Sequence, residues 1–178
     1  MNIDLGAWQV RSWRLDDEVA LARHANNRKI WRNLRDGFPH PYTREDARRF
    51  IAYALSQNPE TVFCIATAEG EAIGGIGFRL HEDVERISAE IGYWLAEDYW
   101  GRGITTAALR AITDYAMRKH DLRRVYAVPF AWNEASFRVL EKAGFVCEGR
   151  MCCSALKEGQ VIDQLLYAFT REDCSHST

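Results

Sequence analysis

The stretch Ile87 to Leu109, ISAEIGYWLAEDYWGRGITTAAL, decides the fold. Its first nine residues alternate, with Ile87, Ala89, Ile91, Tyr93 and Leu95 on one side and Ser88, Glu90, Gly92 and Trp94 on the other, as in a strand. Trp100-Gly101-Arg102-Gly103 breaks the pattern. Ile104, Ala108, Ala111, Ile112 and Tyr115 then repeat at helical spacing, which predicts a helix to about Lys119. The two glycines therefore sit at a helix N-terminus, where backbone N–H groups lack intrahelical partners and the dipole adds positive charge. A diphosphate suits such a turn, with Arg102 adding charge and Thr105 and Thr106 adding hydroxyls. The plainer alternative is a turn that needs glycine only for positive φ.

Outward from this segment the elements follow one another without a linker or repeat. Upstream, Trp8–Arg14 reads as a strand. Asp16 and Asp17 open a helix with Val19, Leu21, Ala22 and Ala25 on its apolar side. Ile30, Trp31 and Leu34 lie in a less regular section, and Pro39 and Pro41 force an extended turn. Thr43 caps a helix with Ala47, Phe50, Ile51 and Ala54 on its stripe, ending near Gln57. Thr61–Ala68 and Ala72–Leu80 form a hairpin across Glu69-Gly70-Glu71, and Gly75-Ile76-Gly77 inside it marks close packing. Downstream come a strand Arg124–Phe130, a helix Asn133–Ala143 closed by Gly144 and Phe145, and a last hairpin of Phe145–Leu156 with Val161–Thr170. The order predicts an α/β fold, a mixed sheet with helices on both faces. One domain over residues 1–178 is expected, with a core from about 8 to 170 and a frayed tail from Arg171.

Composition narrows the function. The chain has 178 residues, 47% hydrophobic and 27% charged, with a formal charge of −2. That is a soluble globular composition, and nucleic acid is a poor main ligand without an excess of Lys and Arg. No apolar run approaches the ~18–20 residues of a membrane span, and the start lacks a secretory pattern, so a cytoplasmic protein is expected. Five cysteines, Cys64, Cys147, Cys152, Cys153 and Cys174, make an odd set without a C-x-x-C. Neither a disulfide framework nor a metal site is predicted; buried reduced thiols are. His24, His81, His120 and His176 show no constellation with Cys or Asp and are expected at the surface or at helix ends. The P-loop signature is absent, and Thr106 stands where a dinucleotide fingerprint needs its third glycine.

Three segments together, EIGYWL, then YWGRGITTAAL, then N-x-x-S-x-x-V-L-E-K-A-G-F, resemble the GNAT superfamily of acyl-CoA-dependent N-acyltransferases. Phe38-Pro39-His40-Pro41-Tyr42-Thr43 before a helix is similar to its RimJ/RimL-type branch, which includes ribosomal-protein N-terminal acetyltransferases. The likeness runs from Trp8 to Phe169. It implies the GNAT fold, a mostly antiparallel sheet splayed between Ile87–Leu95 and Arg124–Phe130. It also implies acetyl-CoA as cosubstrate, with no metal. Gly101, Arg102, Gly103, Ile104, Thr105 and Thr106 would hold the CoA diphosphate. Backbone groups of Trp94 and Leu95 would pair with the pantetheine arm, and Asn133 and Arg138 would reach the coenzyme.

A strand covered on both faces has no place for a carboxylate without a reason. For Glu90 the alternatives are a carboxylate at a solvated sheet edge or paired with an Arg, and a general base facing the cleft; the base reading is adopted. Two departures from the family stand out. Trp100 and Thr105 occupy positions the loop consensus gives to other residues. Leu140 stands where many members carry a proton-donating tyrosine, which leaves Ser136 as the candidate acid. Trp31, His40 and Tyr42 are the expected walls of the acceptor pocket. Expected acceptors are a protein N-terminus or a small-molecule amine such as a polyamine, amino acid or antibiotic, with the protein a monomer or homodimer. The alternative is a non-catalytic acyl-CoA-binding or sensor module.

Overall fold

The computed structural model describes residues 1–171, so Cys174, His176 and nearly all of the expected tail lie outside the described residues. Eight strands form one sheet in the order β1-β2-β3-β4-β5-β6-β8-β7. They are β1 (Asn2–Asp4), β2 (Trp8–Ser12), β3 (Val62–Thr67), β4 (Ala72–Leu80), β5 (Ser88–Leu95), β6 (Arg124–Ala127), β7 (Val146–Lys157) and β8 (Gln160–Thr170). Five helices accompany them: α1 (Glu18–Ala25), α2 (Arg28–Trp31), α3 (Arg44–Ser56), α4 (Ile104–Lys119) and α5 (Glu134–Lys142). The chain divides into two compact units, one of Met1–Gly77 with Tyr93–Ala108, the other of Phe78–Gly92 with residues from Leu109 on.

In the first unit the β3–β4 hairpin closes on Gly70 at φ +98°, with its N–H on the Thr67 carbonyl. α3 starts on a capping box in which Thr43 Oγ1 accepts from the Asp46 N–H and Asp46 Oδ2 accepts from the Thr43 N–H. Its stripe of Ala47, Ile51 and Ala54 is buried with Leu21, Ala25 and Trp13. Val19, expected on the apolar side of α1, is 56% exposed: at 3.6 residues per turn it falls outside the face on which Leu21, Ala22 and Ala25 are buried. The strand β1 is only three residues long with Ile3 its one apolar residue, too short for its alternation to announce a strand.

In the second unit α5 ends on Gly144 at φ +95°. The Phe145 N–H bonds the Leu140 carbonyl and the Gly144 N–H the Glu141 carbonyl, the Schellman pattern that the glycine implied. β5 runs parallel to β6 over three rungs, Ser88 with Arg124, Ala89 with Val125 and Glu90 with Tyr126. β6 stops at Ala127, shorter than expected. The next carbonyls turn to β8: Val128 accepts from Gln164 Nε2 and Pro129 from the Leu165 N–H. The expected burial of all the cysteines fails here. Cys64 is buried in β3, but Cys147, Cys152 and Cys153 are exposed on β7, an edge strand with most residues open to solvent.

Candidate active site

The predicted site residues fall into two sets, one in each unit. In the first unit β5 delivers Trp94 and Leu95. Trp94 is half-buried, edge-on to Phe38 at 5.8 Å between ring centres. Leu95 is buried, and its carbonyl accepts from Trp100 Nε1 at 2.8 Å, so this expected pantetheine contact is already engaged by the chain's own indole. The turn then places Gly101 and Gly103 both at φ +76°, which side-chain-bearing residues adopt only with strain. α4 begins at Ile104, with the Ala107 N–H closing on the Gly103 carbonyl. A Cβ built on either glycine would meet no atom within 4 Å, so the turn is open. The first N–H groups of a 16-residue helix are thus presented at an accessible turn, a fit for a diphosphate. Arg102 donates to the Asp98 carbonyl at 2.9 Å and lies over the Tyr99 ring at 5.3 Å. Ile104 is buried, whereas Thr105 and Thr106 are half-buried.

The expected acceptor walls divide. Trp31 and His40 stack, with centres 5.5 Å apart and planes 28° from parallel. Tyr42 is instead a core residue packed on Phe38, and burial pushes its phenol well up from the ordinary range. Sequence reasoning missed a cleft of about 460 Å³ in this unit, lined by residues including His24, Asn27, Glu71, Glu97 and Tyr99. His24, expected at the surface or at a helix end, lies in the last turn of α1. Its side chain is only 10% exposed, and its Nε2 lies 2.8 Å from a Glu71 carboxylate oxygen. That contact, with Arg23 adding to it, holds Glu71 below the usual carboxylate range. No local signal joins residues so far apart in sequence.

In the second unit Glu90 occupies the last rung of the β5–β6 ladder, its side chain 14% exposed and 2.8 Å from Arg79 Nη2. Glu90 is therefore paired with an arginine, as the plainer reading of a carboxylate on this strand has it. Asn133 caps α5, its Oδ1 accepting from the Ser136 N–H at 3.2 Å. Ser136 stands in the first turn of that helix. Arg138 is mostly exposed and pairs with Glu134 one turn away. Leu140 is fully buried, which suits a core residue and offers no proton. His81 was also missed as a partnered residue: its Nε2 lies 2.9 Å from the Tyr126 hydroxyl. His120 packs edge-on to Phe78, and burial of its ring holds its pKa down. Among the described residues no group of three or more His, Cys, Asp or Glu could hold a metal ion. No helix among them is long and apolar enough to cross a membrane.

Residues 9–146 match the family described as "Acetyltransferase (GNAT) domain". The ribosomal-protein-serine acetyltransferase of Escherichia coli K12 is 31% identical over 128 residues, covering 71% of each chain. The Bacillus subtilis protein YdaF is 34% identical over 105 residues; the match spans 59% of this chain and 57% of that relative. A solved structure of RimL, the ribosomal L7/L12 alpha-N-protein acetyltransferase, in complex with coenzyme A superposes with a TM-score of 0.83. It is 25% identical and covers 96% of this chain and 98% of that one. The chain belongs to the GNAT acetyltransferase family, within its RimJ/RimL-type branch. It is an acetyl-CoA-dependent N-acetyltransferase.

Proposed function

We propose that the chain acetylates a primary amine by direct attack within a ternary complex, with the N-terminal amine of a protein as the nominal acceptor. The observation that carries this reading is the open Gly101–Gly103 turn at the start of α4, which fits the diphosphate of acetyl-CoA. Gly101, Arg102, Gly103, Thr105 and Thr106 would hold that group, and Trp94, Asn133 and Arg138 are its further contacts. Acetyl-CoA supplies an activated thioester carbonyl. An amine attacks only when neutral, and most primary amines are protonated at pH 7. Glu90 takes the proton, directly or through one water, and Arg79 holds its carboxylate in place. Ser136 directs a hydrogen bond to the leaving sulfur, which strengthens as charge develops there. Trp31 and His40 wall the acceptor. The name of the Escherichia coli relative, which specifies a ribosomal protein, supports the choice of acceptor.

The test is thiol release from acetyl-CoA with a panel of N-terminal peptides, polyamines, amino acids and aminoglycoside-like amines, beside Glu90→Gln. Release is expected with at least one acceptor, with a fall of about ten-fold or more in the variant. Turnover indifferent to Glu90→Gln removes the base assignment. Coenzyme binding with no turnover on any amine turns the reading towards a sensor module.

A further inference from the structure

Glu90 is not alone on its face of the sheet. Parallel pairing sets Glu90 directly beside Tyr126 and Ser88 beside Arg124. On the other side, the His81 N–H donates to the Ser88 carbonyl at 3.3 Å, and Arg79 reaches Glu90. Residues two apart on a strand share a face, so Arg79, His81, Ser88, Glu90, Arg124 and Tyr126 lie on one side. Ser88 is small, and the imidazole of His81 crosses beside it. His81 and Tyr126 stack with centres 5.7 Å apart and planes 5° from parallel, and His81 Nε2 is 2.9 Å from the Tyr126 hydroxyl. Both rings are half-buried. Glu90 thus has a phenol as its cross-strand neighbour and an imidazole one step further, towards the strand end.

We propose that Tyr126 and His81 form the proton outlet of Glu90 and are positioning residues for turnover. The inference rests on the reading of Glu90 as the base. A carboxylate 14% exposed and paired to an arginine meets little water, yet it must shed one proton per turnover. The amine nitrogen loses its proton to Glu90. The carboxylic acid then gives that proton to the Tyr126 oxygen while the Tyr126 O–H proton moves to His81 Nε2, which serves as acceptor in the Nδ1–H tautomer. His81 releases a proton from Nδ1 to water or buffer. The carboxylate and the neutral phenol are restored, and the imidazole is left neutral as its Nε2–H tautomer. Exchange with water or buffer, Nδ1 gaining a proton and Nε2 losing one, returns it to the Nδ1–H form before the next turnover, with no redox change and one proton delivered to solution. Imidazole suits the last step because it exchanges protons readily near neutral pH. The charged and titratable groups facing the pair are Arg79 on β4, Glu90 on β5 and Arg124 on β6. Arg124 lies over the Tyr126 ring at 5.7 Å and is held by Glu148 on β7.

The test compares wild type, Tyr126→Phe and His81→Ala in dilute, non-nucleophilic buffer with the best amine of the panel. Added imidazole is the external proton carrier. Tyr126→Phe keeps the stack and removes only the relaying hydroxyl. We expect kcat to fall about ten-fold in each variant, with KM for acetyl-CoA within about two-fold and the melting temperature of Tyr126→Phe lowered by no more than about 4 °C, the cost of one lost hydrogen bond. Imidazole should restore His81→Ala in a saturating manner and leave wild type unaffected. Wild-type kcat in Tyr126→Phe, or a His81→Ala defect that imidazole does not relieve, overturns the relay while leaving the acetyltransferase reading intact. A wild type inert towards every amine removes the proposed reaction, and the relay with it.

Discussion

The indole of Trp94 lies so close to Gly75 that a Cβ there would stand 2.7 Å from Trp94 Nε1, and a Cβ on Gly74 would stand 2.6 Å from the Trp94 carbonyl oxygen. The glycine pair on β4 is what lets the end of β5 settle against it. Gly75→Ala cannot be absorbed by backbone change alone, since the nearest atom belongs to a ring wedged beside Phe38. The expected result is a displaced Trp94, a rise of several-fold in KM for acetyl-CoA, and a loss of about 1–3 kcal/mol from overpacking. Titration of the variant with the coenzyme, beside its thermal melt, checks both. Unchanged affinity would show that Trp94 has no part in binding it.

Asn133 has two assigned roles that one pair of variants separates. As the cap of α5 it accepts from the Ser136 N–H, and Asn133→Ala should cost about 1 kcal/mol, or roughly 2–4 °C in melting temperature. Asn133→Asp preserves a capping oxygen and should recover that stability. If Asn133 also touches the coenzyme, both variants raise KM for acetyl-CoA, because an added negative charge near phosphates does not help binding. A normal KM in Asn133→Asp would reduce the residue to a cap.

Where periodicity was long, the elements were legible. The bounds of β4 and α4 follow from uninterrupted patterns of nine and sixteen residues, and the caps at Thr43, Asn133 and Gly144 carry their own local chemistry. What could not be read was non-local. His24 meets Glu71 only because the end of α1 lies beside the β3–β4 turn, and Cys147, Cys152 and Cys153 are exposed because β7 ends up at the sheet's edge. Tyr42 looked like a pocket wall because an aromatic after two prolines gives no clue to its side. The His81–Tyr126 pair was partly within reach. Setting Arg79 opposite Glu90 across the two neighbouring strands puts His81 opposite Ser88, and only the parallel register with β6 was lacking.

Arg11 and Asp17 form a bidentate ion pair of 2.8 and 2.6 Å, with side chains only 2% and 6% exposed. Arg11 also donates to the Gly70 carbonyl, and Asp17 accepts from the Arg14 N–H, so the pair joins β2, the turn before α1 and the β3–β4 hairpin. Removing one partner leaves a buried charge uncompensated. Asp17→Ala is expected to cost about 3–5 kcal/mol, and Arg11→Met combined with Asp17→Leu much less than the single change. Urea unfolding of the three proteins measures this. Equal losses for the single and double variants would mean that packing, not charge, sets the cost.

The irregular stretch of β7 between Met151 and Ala155 is clasped by one carboxylate. Asp163 on β8 accepts from the Cys153 N–H at 2.8 Å and from Arg150 Nε at 2.6 Å. These bonds, the backbone N–H first, hold the Asp163 carboxylate below its ordinary value of 3.8. A carboxylate whose folded value is depressed contributes stability above the unfolded value, and that contribution fades as pH falls through the folded one. Asp163→Asn should therefore lower the urea midpoint relative to wild type at pH 6. The two midpoints should draw together below about pH 3.8, since protonation removes from the wild type what the variant already lacks. A gap that stays constant down to pH 2.5 would show that the clasp owes nothing to ionisation.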